Sequence, residues 1–447
     1  MLKFRKKIIF IIRARRPIDC RPTGKVEFRK GHARMKKLLL IFFIAGLAVP
    51  GFCQQSFVEQ SLVLNVEVPV RVFQGRAFID TLTIDDFEIL EDGVPQRIEA
   101  CYLVKKSAIQ RREESRQYIP QTARHFYLFF EITEYVPKIQ EALDYFFKNI
   151  LIPNDSLVIV TPIKTYRLKE QALQAKPKEA IAEELLGIIR RDCVAGNVEF
   201  RNTVADLTSL ARSISGALQS ANPDVESAKQ QDGATSSEFQ NMRIDEQILF
   251  YGTLLDKLDN LREVNQMKLL DFAHHLVRQE GQKYVFLFYQ REYIPQVDPK
   301  IIATYISLYQ DNYYVYHTLT RAAGFRDREM AFDVEKVRQA YADASTAIHF
   351  LFVTTPRPEI TGVYMQERSE DIFSSFRRMS EGTGGIFESS ANPAVMFQNA
   401  LAAAENYYLL YYTPRRIEEA DRNFRTIEVR VKKGDYKILH RAGYFLN

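Results

Sequence analysis

Four apolar runs, "HFYLFFEI", "SLVIVTPI", "KYVFLFYQ" and "HFLFVTT", limit what this chain can fold into. Each has the length of a strand and lacks the polar alternation of a one-sided sheet, so each reads as a strand covered on both faces. Helical patterns separate them. "VPKIQEALDYFFKNILIPND" spaces Ile139, Leu143, Phe146 and Ile150 three or four residues apart, and Pro153 closes the helix. A long helical region is expected from Asp245 to Gln279, stopping at Gly281, and "DIFSSFRRMSEGTGGIFESS" ends a helix at a Gly-rich turn. Repeated strand–helix–strand order predicts an α/β fold with a doubly wound, mostly parallel sheet.

The ends of the chain have a different period. Leu62–Val72 alternates apolar and polar residues, and "FQGRAF" and "EDGVPQ" put Gly at hairpin positions, so residues 61 to about 104 read as antiparallel strands. "KKSAIQRREESRQYIPQTAR" is charged and lacks an apolar face, the signature of a linker. "RTIEVRVKKGDYKILHRAGYF" returns to period two around Gly434 and reads as a closing β-hairpin. The expected organisation is an N-terminal β-module and linker over residues 56–118. An α/β domain follows over 121–413, with a polar insertion at about 218–244, and a C-terminal hairpin over 414–447. The two terminal segments together would make a small antiparallel β-sandwich-like module.

Charge is unevenly placed. Residues 1–37 hold 14 Lys/Arg against Asp19 and Glu27, a net of +12, so the formal +5 of the whole chain leaves −7 beyond them. A mildly acidic remainder gives no electrostatic footprint for nucleic acid. "MKKLLLIFFIAGLAVPGFCQQ" has the basic, apolar and small-residue regions of a secretory signal peptide over residues 35–53, preceded by a leader (1–34) of uncertain translation. The expected location is periplasmic or secreted. A membrane association would arise only if the segment stayed uncleaved, and its apolar stretch is shorter than the roughly 20 residues of an ordinary span. Beyond the leader remain Cys101 and Cys193. An oxidising compartment would permit a disulfide between them, with two separate buried thiols as the alternative.

The order of these segments resembles the von Willebrand factor A (vWA) domain, and more narrowly the bacterial secreted VWFA-related proteins. "VPVRVF…LTIDDFEILEDGVPQRI" is similar to that group's N-terminal module, and "FYLFFEITEY…FFKNILIPNDSLVIVT" to the first strand, helix and second strand. "EGQKYVFLFYQ" and "SEGTGGIFESS…YYLLYYTP…FRTIEVRVKKGDYKILHRAGYF" resemble a later strand and the C-terminal signature. The resemblance implies a Rossmann-like sheet bearing a metal-ion-dependent adhesion site, built from Asp-x-Ser-x-Ser, a Thr and an Asp. Mapped residue by residue, these positions fall on Glu131, Thr133 and Tyr135, then Thr253, then Gln290. Mg²⁺ asks for about six hard oxygens in a tight octahedron. A set with one carboxylate and a neutral amide supplies too little charge, so the site is expected to be degenerate and to hold no metal, with altered Mg²⁺ or Mn²⁺ binding as the alternative.

No catalytic constellation emerges. His274 and His275 are adjacent and lack the i, i+4 spacing of a zinc-protease helix. "SISG" at Ser213–Gly216 lacks the first Gly of a nucleophile elbow, and "GTGG" at Gly382–Gly385 follows a helix and lacks the Lys of a phosphate loop. The chain therefore reads as a non-enzymatic, exported protein-interaction module with an unidentified protein partner and no cofactor; metal-dependent adhesion and an envelope hydrolase are the competing readings.

Overall fold

The computed structural model describes residues 65–220, 239, 241–324, 332–414 and 424–446. The segments expected as leader and signal peptide, and most of the expected polar insertion, lie outside the described residues.

Eighteen strands are present among the described residues. In the N-terminal part these are β1 (Val66–Gln74), β2 (Ala77–Phe78), β3 (Phe87–Glu91), β4 (Val94–Gln96), β5 (Ile98–Lys105) and β6 (Ala108–Glu114). The middle contributes β7 (Arg124–Glu131), β8 (Ser156–Val160), β9 (Thr165–Leu168), β10 (Gln282–Gln290), β11 (Tyr293–Gln296), β12 (Thr346–Val353), β13 (Tyr364–Glu367) and β14 (Phe387–Ser390). The last four are β15 (Asn406–Tyr412), β16 (Phe424–Val431), β17 (Lys437–Leu439) and β18 (Gly443–Phe445).

These strands form four sheets, and their arrangement corrects the expected fold class. Three sheets are wholly antiparallel: β17-β1-β15-β5-β6 with β2 beside β1, β18-β16-β3-β4, and the pair β11-β13. Parallel ladders occur only in the sheet β14-β12-β10-β7-β8-β9, whose edge strand β9 is itself antiparallel to β8. The protein is thus a mixed α/β molecule in which antiparallel pairing predominates, and a doubly wound parallel sheet with a small appendage does not describe it. The physical reason lies in the partners that distant segments choose. β15, expected within the parallel domain, inserts between β1 and β5 and pairs antiparallel with both. The charged segment expected as a linker supplies β6, an edge strand whose alternate residues face water, as charged edges commonly do. The two C-terminal strands flanking Gly434 form no hairpin ladder: β16 pairs with β3 and β18, and β17 with β1.

Eleven α-helices are described: α1 (Ile139–Tyr145), α2 (Glu170–Ala175), α3 (Lys178–Gly196), α4 (Val198–Ser220), α5 (Ile244–Arg262), α6 (Gln266–Val277), α7 (Pro299–Leu308), α8 (Tyr313–Gly324), α9 (Val334–Asp343), α10 (Glu370–Gly382) and α11 (Pro393–Glu405). The apolar face predicted for the first helix is buried as a whole at Ile139, Leu143, Phe146 and Ile150, although the last turn widens into a π-helix over Phe146–Ile150. The long helix expected over 245–279 is broken into α5 and α6. Val264 turns into the core between them, and the side chain of Asn265 accepts the Lys268 amide at 3.1 Å, capping the second helix.

One face of the parallel ladders packs on α1, α3 and α11, where Phe130 stacks on Phe288 at 4.9 Å and Phe397 meets Phe286 edge-on. The other packs on α6, α9 and α10 through Phe272, Tyr341 and Phe376. Helices α4, α5, α7 and α8 share a further core, which the strand–helix reading did not separate. The "GTGG" turn is structural: Gly384 takes φ +72°, and a Cβ on Gly385 would sit 1.8 Å from the Ile348 carbonyl oxygen. Only glycine permits so close an approach.

Candidate functional site

At the carboxyl ends of β7 and β10, the last strand residues and the loop after β7 carry four of the five mapped positions: Glu131, Thr133, Tyr135 and Gln290. Parallel register places Tyr289 beside Glu131, so Gln290 lies at the rim next to the segment after β7. From there its side-chain carbonyl accepts three hydrogen bonds: from the Thr133 amide at 3.1 Å, the Thr133 hydroxyl at 3.3 Å and the Glu134 amide at 3.0 Å. The Gln290 amide therefore fastens the first loop instead of offering an anionic oxygen outward.

Glu131 closes β7 and is only partly covered. Desolvation raises its carboxyl above the ordinary range, and the nearby Glu292 carboxylate pushes the same way. Glu292 in turn is held by Arg262, at 2.7 Å, with both side chains buried. Arg262 also donates to the Arg368 carbonyl oxygen. Tyr135, half-buried, packs its ring against the core beneath α3 and lies under the Arg190 guanidinium at 5.5 Å. Its phenol is raised by burial, which disfavours the phenolate a metal would need.

Thr253 does not join the cluster. It sits on the exposed side of α5, where its hydroxyl donates to the Leu249 carbonyl one turn back at 3.1 Å. The local likeness that suggested a loop threonine falls within a regular helix, because Leu254, Leu255 and Leu258 turn the opposite face into a core. Cys101 and Cys193 are both free and buried, the first on β5 and the second on α3 in the core of the parallel ladders. The disulfide is therefore not formed. Burial pushes both thiols up to about 12.

The structure adds residues that the sequence reading missed. Asn197, just past α3, donates to the carbonyls of Ile132 at 2.8 Å and Cys193 at 2.9 Å, tying the helix end to the β7 loop. Asp192 accepts from the Thr161 hydroxyl at 2.8 Å and the Tyr166 hydroxyl at 2.7 Å, tying the same helix to the β8–β9 turn. Gly196 before Asn197 was a visible helix-stop signal, and its role is steric: a Cβ there would meet Pro162 at 2.6 Å. Beneath the rim, an apolar cavity of about 60 Å³ opens between α6 and the sheet, with Phe129, Phe272, Tyr289 and Met379 in its wall and Glu131 and Lys268 among its polar lining.

Among the described residues, no group of three or more His, Cys, Asp or Glu side chains is placed to hold a metal ion, and no helix is long and apolar enough to cross a membrane. No protein-family model matches the chain, and no curated protein or solved structure matches it significantly.

Proposed function

We propose that this chain is an exported, non-catalytic protein-interaction module that presents the loops at the carboxyl ends of β7 and β10 to a protein partner. The observation that carries the reading is the threefold hydrogen bonding of Gln290 to the loop after β7. It gives that loop a fixed shape through neutral groups, and leaves Glu134 exposed at its tip. Pre-shaped surfaces of this kind bind by complementarity and ordinary polar contacts, with little ordering cost at the moment of association. The signal-like segment over residues 35–53 supports export.

The test is capture of partners from the envelope extract of the native cell by the chain beginning at Gln54, with and without EDTA. A specific partner retained in EDTA and lost on Glu134→Arg supports the reading. Capture that needs Mg²⁺ or Mn²⁺ and disappears with Glu131→Ala would favour metal-dependent adhesion, and capture indifferent to the loop would remove the proposed surface.

A further inference from the structure

The core between the sheet and α6, α9 and α10 is incompletely filled. Phe129, Leu287 and Tyr289 from the sheet, Phe272 from α6 and Met379 from α10 surround a cavity of about 60 Å³. Protein interiors are close-packed and seldom keep a void larger than a water molecule. Water suits this one poorly. About four molecules would fit by size, yet each needs two to four polar partners, and the walls are chiefly aromatic and aliphatic. The guest that matches the space is an apolar group of about four carbon atoms, the size of a leucine or methionine side chain.

The charged and amide groups of the lining stand toward the rim. Glu131 ends β7, level with Tyr289 near the end of β10. Asn265 caps α6, and Lys268 lies in its first turn. Residues 278–281 alone join α6 to the start of β10, so the beginning of the helix overlies the other, carboxyl end of the sheet. Lys268, Leu269 and Phe272 are half-buried, and the cavity wall meets solvent along that side of α6. The mouth thus has a carboxylate on its strand wall and an ammonium on its helix wall. Glu292, held by Arg262, acts on Glu131 and reinforces the negative side. A fatty-acid head would suit Lys268 but be repelled by Glu131, and a simple amine would meet the reverse. A peptide backbone carries N–H donors and carbonyl acceptors on one neutral chain, and so answers both walls.

We infer that this cavity is an anchor pocket for one aliphatic side chain, of leucine or methionine size, carried by an extended segment of the protein partner whose backbone crosses between Glu131 and Lys268. The inference rests on the protein-interaction role proposed above and gives it a chemical requirement. The loop fastened by Gln290 follows Glu131 directly, so pocket and loop belong to one face. A buried anchor ringed by polar contacts that exclude water is the usual source of most binding energy at an interface.

Titration with N-acetyl-leucine methylamide tests the pocket without any partner. The methyl signals of Ile348 and Met379, both in the wall, should shift and saturate with an affinity near millimolar, as a ligand of that size allows, and the serine analogue should leave them unmoved. Val285→Phe adds about four carbon atoms to the wall and should abolish the response. Should that variant not fold, Leu287→Phe serves in its place. Absence of any shift, equal shifts with the leucine and serine forms, or a response retained in the filled variant would refute the pocket. In capture from the envelope extract, Val285→Phe should lower the yield of partner by about tenfold or more while amide exchange at Thr133 and Glu134 stays as in the wild type. A partner held equally well by the filled variant overturns the anchor and leaves the loop reading intact. A saturable leucine response with no captured partner supports the pocket and counts against the loop reading.

Discussion

Replacing Gln290 by methionine keeps the length and volume of the side chain and removes its acceptor. Three hydrogen bonds are lost, and two backbone amides, those of Thr133 and Glu134, lose the partner shown here. A neutral hydrogen bond contributes about 0.5–1.5 kcal/mol net, so full loss at a dry site would approach 4 kcal/mol. The loop is only partly buried and Glu134 is exposed, which lets water take over part of the bonding. The expected cost is therefore about 2 kcal/mol. Equilibrium urea unfolding measures it, and amide hydrogen exchange localises it: exchange at Thr133 and Glu134 should quicken while the centres of β7 and β10 stay protected. Thr253→Ala is the control. Its exposed hydroxyl bonds only to its own helix, so the change should stay within about 0.5 kcal/mol. A Gln290→Met protein as stable as the wild type, with unaltered exchange at both amides, would show that this side chain does not fasten the loop.

Three other outcomes are expected. Arg262→Met strands the buried Glu292 carboxylate and should cost about 3–5 kcal/mol, whereas the double change Arg262→Met/Glu292→Met should cost less than the single one; a double-mutant cycle by urea unfolding checks this. His349, fully buried against Phe286, is pulled down to about 3 by burial and by Arg71, so it binds fewer protons folded than unfolded. Its contribution to stability is intact above the unfolded value near 6.5 and falls with pH below it, by about 3 kcal/mol at pH 4; a neutral imidazole signal in NMR spectra down to pH 4 and a flatter acid slope for His349→Gln are the checks. In a chain beginning at Gln54, a thiol reagent at pH 8 should find no reactive cysteine in the native protein and two after denaturation, because Cys101 and Cys193 are free but buried.

Much of the element inventory was legible in one dimension. The apolar runs became β7, β8, β10 and β12 because a strand covered on both faces needs apolar residues at every position. Ile139, Leu143, Phe146 and Ile150 turned inward together because a helical repeat sets one face regardless of what packs on it. Period and composition are local properties, and they survive folding. Partner choice is not local. Nothing in "NYYLLYY" says that β15 will lie between β1 and β5, more than 300 residues away in the first case, nor that the charged "AIQRREE" will edge the same sheet. The predominance of antiparallel ladders followed from those pairings, which is why the expected fold class failed. The candidate site divides in the same way. Glu131, Thr133 and Gln290 could be mapped because they sit at or just past strand ends, where register fixes position. Thr253 was misplaced because a short local match cannot tell a loop from the exposed side of a helix. The residue types, their charges and their periodicities were determined by the sequence alone. Which carboxylate answers which guanidinium, and which amide closes the loop after β7, were decided only when distant segments were packed together, since those contacts depend on distance in space and not on distance along the chain.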